Sequence, residues 1–189
     1  MKPFVISLYG YKGSGKSTAA EYLMAQGVER VKFADGLKKM LYALGLTEEE
    51  IEGPLKEKPC ELLGGKTPRY AMQTLGTEWG RERISQDLWV NAWKKEVSIW
   101  QDDMDIDVLV DDMRFHNEVL AVKAVGGVLV KLVRGERPKD THISESFIDT
   151  FVPDYTIVNN GSLEDLYDAL EDLMRKVTRE VWEPTEEPF

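Results

Sequence analysis

Apolar positions along the chain follow two rhythms. Pro3 to Tyr9 (PFVISLY), Val31 to Ala34, Ile106 to Val110, Val128 to Val133 and Tyr155 to Val158 are short runs rich in β-branched and aromatic side chains, the pattern of buried strands. Between them lie stretches with helical spacing. Ser17 to Gln26 is stopped by Gly27, Gly36 to Leu44 is opened by Asp35 as a cap and stopped by Gly45, and Asn117 to Val125 follows later. A last helix opens with a Ser162/Asp165 capping-box pattern and carries Leu163, Leu166, Tyr167, Leu170, Leu173, Met174 and Val177 at the 3.6 period. Glu48 to Pro68 is charged and irregular, and reads as an excursion from the core. Tyr70 to about Gln101 predicts two helical stretches parted near Gln86 and Asp87, with Trp89, Trp93, Val97 and Trp100 on one face of the second, where they pack as core. Strands separated by helices predict right-handed crossovers and a three-layer α/β fold with a mostly parallel sheet. Ligands in such folds bind at the carboxyl ends of the strands.

Composition narrows the function. The 189 residues carry 24 basic and 34 acidic side chains, a formal charge of −10. Proteins that bind polymeric nucleic acid or anionic membranes rely on a basic face, so neither partner is expected. The lone cysteine, Cys60, excludes an intrachain disulfide scaffold and fits a reducing compartment. No apolar block resembles a signal sequence, and no run approaches the ~18 residues of a membrane span. A cytoplasmic protein is expected, with one folded domain over residues 1–179 and an acidic tail at 180–189. Any phosphate it handles must be held by a local constellation working against the global charge.

Gly10-Tyr11-Lys12-Gly13-Ser14-Gly15-Lys16-Ser17 supplies one. It fits G-x-x-x-x-G-K-[ST] at every fixed position, directly after a predicted strand and at the start of a predicted helix. Glycines let the loop curl with its N–H groups inward, and the helix start adds unpaired donors and the positive dipole end. Lys12, Gly13, Ser14, Gly15, Lys16, Ser17 and Thr18 are the expected contacts of the triphosphate, with Lys16 on the β- and γ-phosphates and Ser17 on Mg²⁺. No Asn-Lys-x-Asp segment for reading guanine is present; the nearest stretch, Asn159-Asn160-Gly161, lacks the lysine. Phosphate transfer from a nucleoside triphosphate to a small acceptor fits best.

Two further segments look chemical. Arg69 to Arg81 (RYAMQTLGTEWGR) mixes arginines that grip phosphate in bidentate fashion with Gln73 and Glu78, which can read a base edge, and Trp79, which can stack. Ile106 to Glu118 ends a buried strand in Asp111 and Asp112, the usual second half of a phosphate-loop site. Adjacent strand residues face opposite sides, so one of the two acids faces the phosphates, and the sequence leaves open which. Arg114 and Glu118, four apart around the next turn, are expected to pair.

Taken in order, the strand with GYKGSGKST, Phe33-Ala34-Asp35 with Lys38, the R-x-x-x-Q-x-x-GTE-x-x-R segment from Arg69, the D-x-RF-x-NE segment from Asp112 and His142 to Glu145 resemble the bacteriophage-type deoxynucleoside monophosphate kinases over about residues 3–175. The resemblance implies a nucleoside-monophosphate-kinase-like fold and Mg²⁺-dependent phosphorylation of deoxynucleoside monophosphates by ATP. It places Gly13, Gly15, Lys16 and Ser17 on the ATP phosphates. Phe33, Asp35, Lys38, Arg69, Gln73, Gly76, Thr77, Glu78, Trp89, Asp112, Arg114 and Glu118 fall to the acceptor. Asp112 then touches the acceptor, or shares with Asp111 and Ser17 the role of metal ligand. An acceptor-binding insertion at about 46–104 and a lid at about 134–145 complete the expectation. Arg134 and Arg137 join Lys16, Arg69 and Arg114 as catalytic candidates, Lys139 adds charge, His142 pins the lid, and Asn160 borders the adenine. Oligomeric state is left open by the sequence, though an exposed aromatic face on the insertion would favour a homodimer. The rivals are a kinase for another small acceptor, such as dephospho-coenzyme A, and a nucleotide sensor without turnover.

Overall fold

The computed structural model describes residues 3–135 and 148–182. Its helices are α1 (Lys16–Ala25), α2 (Asp35–Ala43), α3 (Glu48–Ile51), α4 (Pro68–Thr74), α5 (Leu88–Ser98), α6 (His116–Ala124) and α7 (Leu163–Trp182), and its strands β1 (Val5–Tyr9), β2 (Glu29–Arg30), β3 (Val108–Val110), β4 (Val128–Val133) and β5 (Tyr155–Val158). They fall into two compact units, one of Met1–Lys32 with Glu96–Phe189, the other of Phe33–Lys95.

The first unit holds an all-parallel sheet in the order β2-β3-β1-β4-β5. All five residues of central β1 are buried, which is why it reads as a continuous apolar run rather than an alternation. Ile6 and Leu8 join Ala19, Ala20 and Leu23 of α1 and Leu166, Leu170 and Leu173 of α7 in one core cluster, and Tyr22 stacks on Tyr167 with ring centroids 4.3 Å apart. On the other face Gly127, leading into β4, sits against Val122 of α6 and Val5. The register sets Ser7 beside Val110 and Tyr9 beside Lys131, so β3 stops short of the carboxyl end of β1 and β4 runs past it. Among the described residues no helix is long and apolar enough to cross a membrane.

Several element edges differ from expectation. The second strand is Glu29–Arg30 rather than Val31–Ala34: Val31 still donates its N–H to Leu109 O at 2.8 Å, but the chain coils into α2 at Asp35. Asp35 is consequently the first residue of α2, not its cap, and its charge sits by the positive end of the helix. The strand expected from Ile106 begins at Val108, because the Asp107 carboxylate turns to accept the Phe4 N–H at 2.9 Å. Burial raises the Asp107 pKa. The last helix continues to Trp182, so the first residues assigned to the tail are helical. Arg137, Lys139 and His142 lie outside the described residues.

The second unit builds a small core from Leu37, Leu41, Leu46, Ile51 and Trp89, with Phe33 and Trp93 rings 4.6 Å apart. Its charged excursion is better ordered than its pattern suggests. Glu50 closes a capping box on α3, accepting the Thr47 N–H at 2.8 Å and the Cys60 thiol at 3.2 Å, contacts that lower its pKa. Thr67 caps α4 by accepting the Tyr70 N–H at 3.1 Å, with Pro68 in the first turn. Beyond α4 the helix widens into a π-helical segment, Leu75–Ile84. There the Trp89 indole N–H donates to Gly76 O at 2.8 Å, and a Cβ on Gly80 would lie 2.6 Å from Trp89 Nε1. A side chain bonded into the helix ladder, with glycine permitting the approach, accounts for the widening.

Candidate active site

Leaving β1, the chain bends through Gly10 (φ +149°), Gly13 (φ +82°) and Gly15 (φ +99°) before α1 begins. Two of these glycines are required by space as well as by backbone angle. A Cβ on Gly10 would stand 2.3 Å from Leu132 O, and one on Gly15 would stand 2.3 Å from Asn159 Nδ2. Tyr11 O is the hub of the turn, accepting the Ser14 N–H at 3.1 Å and the Lys16 ammonium at 2.8 Å; the same ammonium donates to Gly10 O at 2.7 Å. Lys16 therefore rests on carbonyls of its own loop, neutral partners that an anionic phosphate outcompetes. No side chain caps α1, and the amino end of a helix is a ready site for an anion. Ser14 is 3% exposed, and its hydroxyl has no partner among the described residues. Lys12, Gly13 and Ser17 lie exposed around the loop, with Gly15 and Thr18 half-buried.

The loop is held from behind. Buried Asn159, at the end of β5, donates to Ser14 O at 3.0 Å, while Asn160 accepts the Gly135 N–H at 2.7 Å, tying down the chain just past exposed Arg134. The sequence pointed to Asn160 as a border of the adenine; its side-chain oxygen accepts the Gly135 N–H, and Asn159 supports the phosphate loop.

At the end of β3 the two acids part. Asp111 Oδ2 lies 3.6 Å from the Arg30 guanidinium on β2, and Oδ1 is buried with no partner among the described residues. Asp112 beside it is half-buried. The expected Arg114–Glu118 pairing of side chains is replaced by a backbone one: Glu118 Oε2 accepts the N–H groups of Arg114 at 2.6 Å and Phe115 at 3.0 Å. At 2% exposure Glu118 serves the turn, and the exposed Arg114 side chain is what that turn presents. Arg30 was missed by sequence reasoning, because only the strand order puts β2 next to β3.

A buried, orphaned carboxylate oxygen at a strand end is the donor that a hard cation takes, and a serine hydroxyl is another. Among the described residues no group of three His, Cys, Asp or Glu forms a ready metal cage. Mg²⁺ keeps most of its shell for water and substrate phosphate, so one or two oxygen donors of this chemistry are what it asks of a protein.

In the second unit the predicted acceptor residues divide into core and surface. Phe33 and Trp89 are core: Trp89 is 5% exposed with its N–H committed to Gly76, and the exposed indole is Trp79 at 39%. Half-buried Gly76 supplies that carbonyl. On the surface, Arg69 and Gln73 share a face of α4 at a spacing of four, followed by exposed Thr77 and Glu78. Arg69 Nε donates to Glu57 at 2.6 Å, and Lys38 pairs with Glu52, which also lies 3.9 Å from Lys56. Each cation is paired with an exposed carboxylate, an arrangement that an incoming phosphate exchanges at small cost. Glu57 and Glu52 were not singled out in the sequence, where they read as two acids of an irregular loop.

The sequence model of the deoxynucleotide monophosphate kinase family matches residues 66–170. A protein of Acanthamoeba polyphaga mimivirus that carries the same name is 36% identical over 180 residues, covering 88% of this chain and 93% of that protein. The deoxynucleotide monophosphate kinase of Enterobacteria phage T4 is 24% identical over 90% of this chain and 98% of its own length. Among solved structures, TT1252 from Thermus thermophilus superposes with a TM-score of 0.52 at 16% identity, over 93% of this chain and 98% of that one. Shikimate kinase from Acinetobacter baumannii gives 0.50 at 13% identity over 94% of each. These two share the fold. The family model spans more than half of the sequence and the mimiviral relative is matched over almost its whole length, so the chain belongs to the deoxynucleotide monophosphate kinase family.

Proposed function

We propose that the protein transfers the γ-phosphoryl group of ATP to the phosphate of a deoxynucleoside monophosphate, releasing ADP and the diphosphate. The observation that carries this reading is the phosphate loop, with Lys16 parked on the Gly10 and Tyr11 carbonyls and α1 uncapped. The loop N–H groups cradle the triphosphate, and Lys16 follows the charge that moves onto the β–γ bridge as the γ-phosphoryl group departs. A monophosphate acceptor is already anionic and needs little help from a base, so the rest of the work is positioning. Arg114, presented by the Glu118-braced turn, and Arg69 on α4 orient the acceptor phosphate. Gln73, Thr77 and Glu78 read its base or sugar, and Asp112 contacts the acceptor. Arg134 and Arg137 complete the charge neutralisation. Mg²⁺ would be held by Ser17 and Asp111, and when bound it neutralises charge on the β- and γ-phosphates.

The reading is tested by ADP release with each of the four deoxynucleoside monophosphates, dephospho-coenzyme A and a water-only control. Turnover with at least one deoxynucleotide, and none with dephospho-coenzyme A, is expected. Turnover with dephospho-coenzyme A alone, or with none, contradicts it. An apolar groove of about 610 Å³ in the second unit, lined by Met40, Leu44, Tyr70 and Trp79 among others, supports the homodimer expectation. Sedimentation equilibrium at micromolar concentration should then give twice the chain mass, and a monomer would remove that part of the reading.

A further inference from the structure

Tyr11 occupies a variable position of the phosphate loop, and its two ends do different things. Its carbonyl accepts both the Ser14 N–H and the Lys16 ammonium, so the interior of the loop is arranged around it. Its phenol reaches out of the loop and donates to Asp149 Oδ2 at 2.5 Å. Asp149 belongs to a 3₁₀ turn, Ile148–Thr150, whose Phe151 neighbour accepts the Tyr9 phenol at 3.3 Å. The other carboxylate oxygen, Oδ1, accepts from Lys131 Nζ at 3.0 Å. Lys131 lies on β4 directly beside Tyr9 in the sheet register. A hydrogen-bonded line thus runs from the rigid sheet through Lys131 and Asp149 to the Tyr11 side chain, and through the Tyr11 backbone to Lys16. Asn159 braces the loop independently at Ser14, so Asp149 governs the entry to the loop and Asn159 its exit into α1.

We propose that Asp149 is a positioning residue for the triphosphate: by accepting the Tyr11 phenol it fixes the Tyr11 carbonyl on which Lys16 rests, and so the place from which the ammonium meets the β- and γ-phosphates. What matters is an acceptor oxygen for the phenol, with Lys131 orienting the carboxylate that supplies it. The inference deepens the kinase reading and rests on its placement of ATP in this loop.

The test measures the Kd of a non-hydrolysable ATP analogue and of a deoxynucleoside monophosphate by calorimetry, with wild-type turnover assayed in parallel. Asp149→Ala and Tyr11→Phe should each weaken the ATP analogue about tenfold while leaving the monophosphate Kd within about twofold, the loss expected from a misplaced loop. Asp149→Asn, whose amide oxygen still accepts the phenol, should restore affinity to within about threefold of wild type. The double variant Tyr11→Phe/Asp149→Ala should be no worse than either single change, because both break the same link. Asp149→Ala binding the analogue like wild type, Asp149→Asn failing as badly as Asp149→Ala, or losses that multiply in the double variant would each overturn the inference. Should Asp149→Ala not fold, Tyr11→Phe against Asp149→Asn still decides: the first must weaken binding and the second must not. Analogue binding reads the loop whatever the acceptor is, so absence of wild-type turnover counts against the kinase reading and leaves this test standing.

Discussion

At the residue scale, the site separates groups that meet substrate from groups that hold them. Lys16 is of the first kind. Lys16→Ala should lower kcat by about 10²–10³-fold, the usual loss on deleting one donor to developing charge, with the monophosphate Kd unchanged. Equal loss of both would mean the two sites are wrongly divided. Glu118 is of the second kind, buried with two backbone N–H groups on one oxygen. Glu118→Ala leaves those donors bare and should cost about 1–3 kcal/mol in denaturant unfolding, whereas Glu118→Gln keeps an acceptor and should retain most of that stability. Both residues were legible in the sequence, but in different ways: Lys16 comes with its role in a fixed motif, while Glu118 was matched to the acceptor by resemblance and turned out to brace the turn that presents Arg114. Spacing alone could not distinguish a pairing with the Arg114 side chain from one with its backbone.

At the element scale, strands and long helices were readable and the widened helix was not. Apolar runs located β1 and β4 because burial leaves a nearly continuous pattern, and β5, an edge strand with Thr156 and Val158 exposed, by its aromatic and β-branched composition; β2 slipped because only its pairing with β3 defines it. The π-helical segment depends on Trp89 meeting Gly76 and Gly80, residues from separate elements, and no local periodicity records such a contact. Gly80→Ala should accordingly cost about 1–3 kcal/mol, the usual range for overpacking, and blue- or red-shift the Trp emission; a neutral substitution would refute the account of the widening. The capping box at the start of α7 was read correctly, and it makes a pH prediction. Asp165 accepts the Ser162 hydroxyl and N–H, each at 2.7 Å, and these bonds lower its pKa from the ordinary 3.8. A carboxyl lowered on folding contributes stability that is full above its unfolded pKa and lost as pH falls through the folded value. Asp165→Ala should therefore lower the unfolding midpoint at pH 7, with the difference from wild type closing as pH falls through the lowered folded-state pKa. A gap that persists in acid would assign the effect to packing.

At the scale of the whole molecule, the charge of −10 coexists with a phosphate loop, so the sign of the chain decides which phosphates reach it rather than whether any do. Small nucleotides need one local cluster of donors, whereas a DNA strand needs an extended basic face. Filter binding should accordingly detect no retention of single- or double-stranded DNA at 150 mM salt, about the physiological ionic strength. The chain divides into two compact units, and the phosphate loop, Asp112 and Arg114 belong to the sheet unit while Arg69 and Gln73 belong to the helical one. The most direct measurement follows the phosphoryl group itself: the protein is incubated with ATP labelled at the γ-phosphorus and each deoxynucleoside monophosphate, and the products are separated. The label should appear on the β-phosphorus of a deoxynucleoside diphosphate, and should not do so with Lys16→Ala. Label found only in inorganic phosphate, or remaining in ATP with all four acceptors, would contradict the account.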